Sequence, residues 1–264
     1  MLSKLNNYLS DLKKVLIAFS GGVDSTFLLA AAIKAVGKEN ILAVIAESPT
    51  YPSDEVARAE KLCKEFGVRC KLIHTDEFSD EDFVKNPKER CYYCKKELFS
   101  RLNDIAKENG IDHVLDGSNF DDKSDYRPGT QAKCELGVKS PLQGLGFTKQ
   151  KIRDTSKEWG LPTWDKPSYA CLASRIPYGT RITKDILKRV EEGERYLRSI
   201  GFKQLRVRHH DAIVRIELED RVLAAELMDE IAEKFEKLGY TYVTLDLKGY
   251  RTGSMNESLT PDIG

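Results

Sequence analysis

Residues 15–26 read Val15-Leu16-Ile17-Ala18-Phe19-Ser20-Gly21-Gly22-Val23-Asp24-Ser25-Thr26, and Phe27-Leu28-Leu29-Ala30-Ala31-Ala32-Ile33 follows at once. The apolar run predicts a strand, the paired glycines a turn, and residues 26–36 a helix. Adjacent glycines admit positive φ and let backbone N–H groups approach an anion, because no Cβ stands in the way. The unpaired N–H groups of the first helical turn, with the hydroxyls of Ser20, Ser25 and Thr26, add donors around the same point. A strand, turn and helix of this kind make a phosphate site that opens at Ala18. Asp24 fits beside the anion if a magnesium ion lies between its carboxylate and the phosphates, since hard cations take oxygen ligands. A plain glycine-rich turn with a Ser/Asp helix cap is the bland alternative. It would not require six residue types to coincide at a strand-to-helix junction.

Outward from this stretch, apolar segments at 16–19, 41–46, 70–75 and 114–115 alternate with helical patterns near 26–36, 54–66 and 93–108. The alternation predicts an α/β fold with a doubly wound parallel sheet. Ligands in such sheets collect at the carboxyl ends of strands. Three loops fall there: 20–26, Glu47-Ser48-Pro49-Thr50, and Asp116-Gly117-Ser118-Asn119. Asp121, Asp122, Asp125 and Arg127 follow Gly117 in a loop suited either to closing over a nucleotide and magnesium or to a solvated acidic turn. After another helix at 148–159 the chain turns irregular, with Pro162, Pro167, Pro177 and Gly179 as punctuation. The expected organisation is a nucleotide domain over 1–165, a connecting segment over 166–182 and a small α+β domain over 183–264. In the last, a helix at 183–199 precedes a hairpin (202–208 and 212–218) around His209-His210-Asp211, a helix at 220–238 and a strand at 241–247.

The 264 residues, 41% of them hydrophobic, suffice for two domains. Forty-two basic residues balance forty-two acidic ones, so the overall charge argues against nucleic acid. No apolar run approaches the roughly 18 residues of a membrane span. Met1-Leu2-Ser3-Lys4-Leu5 also lacks the apolar core of a signal peptide, which predicts a cytoplasmic protein. In that compartment six cysteines point to metal or sulfur chemistry rather than to structural disulfides.

Cys91-Tyr92-Tyr93-Cys94 begins the helix that runs through Lys95 and Lys96. A Cys-x-x-Cys pair at a helix start brings two sulfurs together and lowers their pKa. Cys171 stands alone in the irregular segment. Three thiolates suit a 4Fe-4S cluster with one iron open to an extra sulfide. Zinc suits them too, with one further ligand, and an incidental pair plus an unrelated cysteine is the bland reading. Cys63 and Cys70 continue apolar stripes and are expected in the core, and Cys134 is expected to be a half-buried spectator. The four histidines show no metal-ligand spacing.

In Leu205-Arg206-Val207-Arg208 the strand period of two sets Arg206 and Arg208 on one face. Across the hairpin, Arg215 and Glu217 join that face. Two guanidinium forks on one sheet face suit a phosphate monoester, and a solvated face of cross-strand ion pairs is the alternative. Ser174-Arg175 and Arg181, on the segment feeding this domain, offer further donors.

Three features stand together: Ser-Gly-Gly-Val-Asp-Ser at 20–25, Asp-Gly-Ser-Asn at 116–119, and Pro-Ser-Tyr-Ala-Cys-Leu-Ala-Ser-Arg at 167–175. The first resembles the PP-loop of the N-type ATP pyrophosphatases, whose adenine nucleotide alpha hydrolase-like fold it implies. All three, with Pro177-Tyr178-Gly179, closely resemble the LarE family of ATP-dependent sulfur transferases over nearly the whole chain. The resemblance implies adenylylation of the carboxylates of pyridinium-3,5-biscarboxylic acid mononucleotide with release of pyrophosphate, followed by their conversion to thiocarboxylates, with a separate sulfide source and a homo-oligomeric enzyme. It implies ATP and pyrophosphate contacts from Ala18, Ser20, Gly21, Gly22, Asp24, Ser25, Thr26, Gly117 and Arg127. Substrate contacts fall to Lys95, Ser174, Glu194, Arg206, Arg208 and Arg251. In one branch of the family a cysteine at the position of Cys171 sacrifices its sulfur and becomes dehydroalanine; in the other, three cysteines hold a 4Fe-4S cluster. Cys91, Cys94 and Cys171 assign this chain to the cluster branch. PP-loop transfer-RNA thiolases are the rival class, but they need a basic surface.

Overall fold

The computed structural model describes residues 1–124, 128–167, 171–251 and 254. The chain divides into two compact units, 1–169 and 170–264. In the first, the elements in order are α1 (Leu2–Leu12), β1 (Val15–Ala18), α2 (Val23–Val36), β2 (Ile41–Glu47), α3 (Ser53–Phe66) and β3 (Arg69–His74). There follow α4 (Glu81–Val84), α5 (Arg90–Glu108), β4 (Val114–Leu115), α6 (Gly129–Glu135), α7 (Pro141–Gly144) and α8 (Lys149–Glu158). The four strands are parallel and lie in the order β3-β2-β1-β4, as the alternation of segments predicts.

Period-two alternation sends β1 side chains to both faces of the sheet, and both faces are covered. Ile17, Ala43 and Leu115 pack with Leu5, Leu28, Ala59, Phe147 and Ile152 in one apolar cluster. Leu16, Leu42 and Val44 pack with Leu98, Phe99 and Leu102 of α5 in the other. The order also reverses at β1: the chain winds outward through β2 and β3, then returns to lay β4 on the opposite side of β1. Such a reversal opens a crevice beyond the carboxyl ends of β1 and β4.

The second unit contains α9 (Lys184–Ser199), β5 (Leu205–His210), β6 (Ile213–Leu218), α10 (Arg221–Glu226), α11 (Met228–Lys237) and β7 (Tyr242–Leu245). β6 is antiparallel to β5 and parallel to β7. Thr183 caps α9 by accepting from Ile186 N at 3.2 Å. Leu187, Val190 and Leu197 form the buried stripe of that helix. At Gly193 a Cβ would stand 2.6 Å from Phe235 Cε1, so α9 and α11 touch only because that side chain is missing.

Two sequence expectations need correction here. The helix expected over 220–238 breaks at Leu227, whose φ of −107° and ψ of 14° leave the helical range; α10 buries only Ala224, while α11 turns to bury Ile231 and Phe235. The hairpin turn is Asp211-Ala212, with φ of 53° at Asp211, and His209 and His210 belong to the strand.

Gly193→Ala is expected to destabilise the protein by about 1–3 kcal/mol through overpacking against Phe235. Urea denaturation followed by tryptophan-independent circular dichroism checks it, and an unchanged midpoint would show that the two helices separate at no cost.

Candidate active site

The loop after β1 is fixed from below. Gly21 takes φ of +65°, and a Cβ there would lie 3.0 Å from the Ala59 Cβ on α3. Both the conformation and the space therefore require glycine. Lys166 Nζ donates to Gly21 O at 2.9 Å and pairs with Glu55 Oε2 at 2.5 Å. Arg153 in turn holds the chain at Lys166 by donating to its carbonyl at 2.8 Å and to that of Trp164 at 2.7 Å. Gly22 is the N-cap of α2, and the Ser20 and Ser25 hydroxyls lie 3.0 Å apart above it.

The loop after β4 closes the other side. A Cβ at Gly117 would stand 2.9 Å from Ser25 N, so the two loops meet backbone to backbone at the start of α2. Asp116, buried beneath them, accepts from Lys133 Nζ at 3.0 Å and Ser118 Oγ at 2.7 Å, and also from Ser140 Oγ. Asn119 Nδ2 donates to Asp24 Oδ2 at 3.3 Å, and Lys149 Nζ pairs with the same oxygen at 2.7 Å. Asp24 Oδ1 is buried and has no hydrogen-bond partner among the described residues. A buried carboxylate oxygen without a partner, in the first turn of α2 where N–H groups favour phosphate, fits a magnesium ion placed between the two. Asp121 and Asp122 serve the turn itself, accepting from Lys149 N at 2.8 Å and Asn119 N at 2.9 Å. Asp125 and Arg127 lie outside the described residues.

Cys91 and Cys94 occupy the first turn of α5, Cys91 exposed and Cys94 buried. The Cys94 thiol donates to Glu77 Oε1 at 3.7 Å, an oxygen that also accepts from Thr75 Oγ1 at 3.0 Å. A Cβ at Gly129 would lie 3.1 Å from Cys91 O and 2.8 Å from Lys95 Cγ, so α6 closes directly over this turn. Cys63 is buried as expected, whereas Cys70 and Cys134 are exposed. Cys70 corrects the core expectation because β3 is the edge of the sheet, and Cys134 because it lies on the outer side of a short helix. Among the described residues no three or more His, Cys, Asp or Glu side chains are gathered at metal-holding distance.

In the second unit the arginine strand pairs as the period of two predicts, Arg206 with Glu217 and Arg208 with Arg215. The face is not solvated, however: Arg206, Arg208 and Glu217 are all buried. Arg208 grips Glu217 through Nε and Nη2, both at 3.0 Å, and donates to Ser174 O at 2.8 Å and Ser254 Oγ at 2.6 Å. Arg206 donates to Leu205 O at 2.7 Å and Tyr250 OH at 3.2 Å, both uncharged. Burial, with the neighbouring Arg175 charge, pushes its pKa down to about 10. Glu194 is held by Arg175 Nε at 2.7 Å, Arg198 Nη2 at 2.8 Å and Val207 N at 3.3 Å. Arg175 also bonds Cys171 O at 3.1 Å and Ser174 Oγ at 2.8 Å, tying the Cys171 turn to this network. Cys171 itself is half-buried. Arg251 and Arg215 share Asp246 Oδ2, at 3.2 and 2.5 Å.

A family model described as NAD synthase matches residues 2–109. The pyridinium-3,5-bisthiocarboxylic acid mononucleotide synthase of Lactiplantibacillus plantarum is 42% identical over 254 residues, covering 96% of this chain and 92% of that protein. The chain belongs to the LarE family of ATP-dependent sulfur transferases. An uncharacterised Synechocystis protein is 41% identical over 98% of both chains, and one from Methanocaldococcus jannaschii is 32% identical over 95% of this chain and 97% of its own length.

Lys149, Lys133 and Glu77 carry no signal in the sequence that marks them for this site. Lys149 opens a helix that the sequence predicts, but its reach to Asp24 spans 125 positions, and no local pattern carries such a contact. Glu77 follows the carboxyl end of β3, the one strand end left without an assigned loop.

Asp24→Asn is expected to lower ATP-dependent turnover about 100-fold through loss of cation binding, read as pyrophosphate release across a magnesium titration. A variant that loses turnover with its magnesium dependence unshifted would contradict the assigned role. Burial alone would raise the Glu194 pKa, but Arg175, Arg198 and Arg206 outweigh it and hold the carboxyl below its ordinary value. A depressed pKa adds stability above the unfolded value of about 4.3, and this is lost as pH falls through the folded value. The melting temperature of Glu194→Gln should therefore fall less steeply than that of the unaltered protein between about pH 5 and pH 3; equal slopes would remove the argument.

Proposed function

We propose that the enzyme adenylylates the carboxylates of pyridinium-3,5-biscarboxylic acid mononucleotide and converts them to thiocarboxylates. The observation that carries this reading is the paired-loop crevice at β1 and β4 with its open Asp24 oxygen, in a chain of the LarE family. The donors of Ser20, Gly21, Gly22, Ser25 and Thr26, beginning at Ala18, would hold the β and γ phosphates. Gly117 lets the second loop approach them. Asp24 would hold magnesium through Oδ1, and the cation would neutralise the departing pyrophosphate. Lys149, now on Asp24 Oδ2, supplies a mobile positive charge at the same point.

A substrate carboxylate oxygen would bond the α phosphorus as the bond from that phosphorus to the bridging oxygen breaks. The electron pair leaves with pyrophosphate. A sulfur nucleophile then attacks the acyl carbon, and AMP departs with the former carboxylate oxygen. The substrate phosphate is assigned to Arg206 and Arg208 with Ser174. Arg206 and Arg208 stand on one buried face of the sheet, and two guanidinium forks so placed suit a phosphate monoester. Glu194 acts there by positioning Arg175, and Arg251 belongs to the same network through Asp246. Lys95 is a further substrate contact, one helical turn from Cys91.

Cys91, Cys94 and Cys171 are assigned as the thiolates of a 4Fe-4S cluster. Bound there, the cluster would present one iron open to an exchangeable sulfide, the sulfur that replaces oxygen. The two thiols in one turn of α5 support this assignment, as does the Arg175 bond that holds the Cys171 turn. The enzyme is assigned to the cytoplasm as a homo-oligomer; no helix among the described residues is long and apolar enough to cross a membrane.

Anaerobic purification followed by absorption and electron paramagnetic spectra tests the cluster. Turnover with ATP, magnesium, the mononucleotide and sulfide should exceed two sulfurs per subunit and collapse in Cys91→Ser. If Cys91→Ser keeps full activity and Cys171 becomes dehydroalanine, with the protein lighter by one hydrogen sulfide per transfer, the sulfur comes from Cys171 itself.

A further inference from the structure

Two hydroxyls from the segment after β7 end on the arginine pair, and no step of the reaction proposed above uses them. Gly249 N donates to Asp246 O at 2.9 Å and closes a turn. Gly249 takes φ of 71°, and a Cβ there would lie 2.8 Å from Leu218 O, so the chain runs tight against the end of β6. Tyr250 N then donates to that same carbonyl at 3.1 Å. Leu218 is the register partner of Leu205, which puts Tyr250 beside Arg206, the next residue of β5. The Arg206 guanidinium lies over the Tyr250 ring, 4.9 Å from its centroid, and its Nη2 donates to the Tyr250 hydroxyl at 3.2 Å. A backbone bond, a ring contact and a side-chain bond thus fix where that hydroxyl stands.

The two hydroxyls differ in what they have left to give. Each can donate one hydrogen and accept through two lone pairs. Ser254 Oγ accepts from Arg208 Nη2 at 2.6 Å and donates to Glu217 Oε1 at 2.8 Å, so its hydrogen is spent inside the Arg208–Glu217 pair. Tyr250 OH accepts from Arg206, and its own hydrogen has no acceptor among the described residues. It is a donor held against Arg206, on the face that Arg206 shares with Arg208.

We propose that Tyr250 is a further substrate-binding residue, whose hydroxyl donates to an oxygen of the substrate's phosphate monoester alongside Arg206. The inference rests on the assignment of that phosphate to Arg206 and Arg208. Its consequence is selectivity. A nucleoside without the phosphate would leave the phenol and the guanidinium without their acceptor, and a site built on hydrogen bonds rejects a compound that cannot complete them.

Nuclear magnetic resonance titration of the full-length protein with nicotinate mononucleotide, and with the riboside that lacks only its phosphate, decides the matter. The unaltered protein should prefer the mononucleotide. Tyr250→Phe keeps the ring over Arg206 and removes the hydroxyl; it should lose roughly tenfold of that preference, with its affinity for the riboside unchanged. An undiminished preference in Tyr250→Phe would overturn the proposal and leave the arginine assignment standing. Equal weakening of both compounds would also overturn it, since the hydroxyl would then serve the fold alone. If the unaltered protein shows no preference, the assignment of the phosphate to Arg206 and Arg208 fails, and the role of Tyr250 fails with it.

Discussion

The close approach of Gly117 to the first turn of α2 is the contact on which the site depends. A 2.9 Å separation between the position of a Cβ and Ser25 N leaves room for backbone alone. That approach follows from the sheet order, because only where the winding reverses do the ends of neighbouring strands open apart and leave a helix N-terminus uncovered. The reversal sets β4 beside β1, and the Asp116–Lys133 pair beneath Gly117 holds its loop down. Asn119 and Lys149 then fall on Asp24. Take away the glycine and the loop must rise, and the other contacts lose their geometry together.

The second unit rests on a different constraint, the cost of burying guanidinium groups. Arg175 and Arg208 are almost wholly enclosed and each meets a carboxylate through two nitrogens, with Glu194 and Glu217 also buried. Such pairs add little net stability over apolar packing, but removing one partner strands a charge. Their benefit lies in orientation. Each nitrogen of the Arg208 guanidinium is bonded, to Glu217, Ser174 or Ser254, so the fork is oriented before an anion arrives. Arg206 donates to a carbonyl and a phenol, and burial beside Arg175 lowers its pKa.

The strands, the phosphate loop and the register of the arginine hairpin were legible because each depends on a short local rule. Period-two alternation fixes Arg206 and Arg208 on one face, and Ser-Gly-Gly-x-Asp-Ser fixes a turn before a helix. Burial of that arginine face was not legible, since Ser254 reaches it from 46 positions away. Cys70 misled for a related reason. Its stripe suited a core strand, but only the order of strands shows that β3 stands at the edge. Lys149 and Glu77 carry no motif, and only folding brings them to Asp24 and Cys94.

The central claim is that the paired loops cleave ATP between its α and β phosphates to activate a carboxylate. Quenching one turnover with the mononucleotide substrate and resolving the nucleotide products measures it directly. The account predicts AMP and pyrophosphate in equal amounts, matched by thiocarboxylate formed. ADP and inorganic phosphate in their place would contradict it.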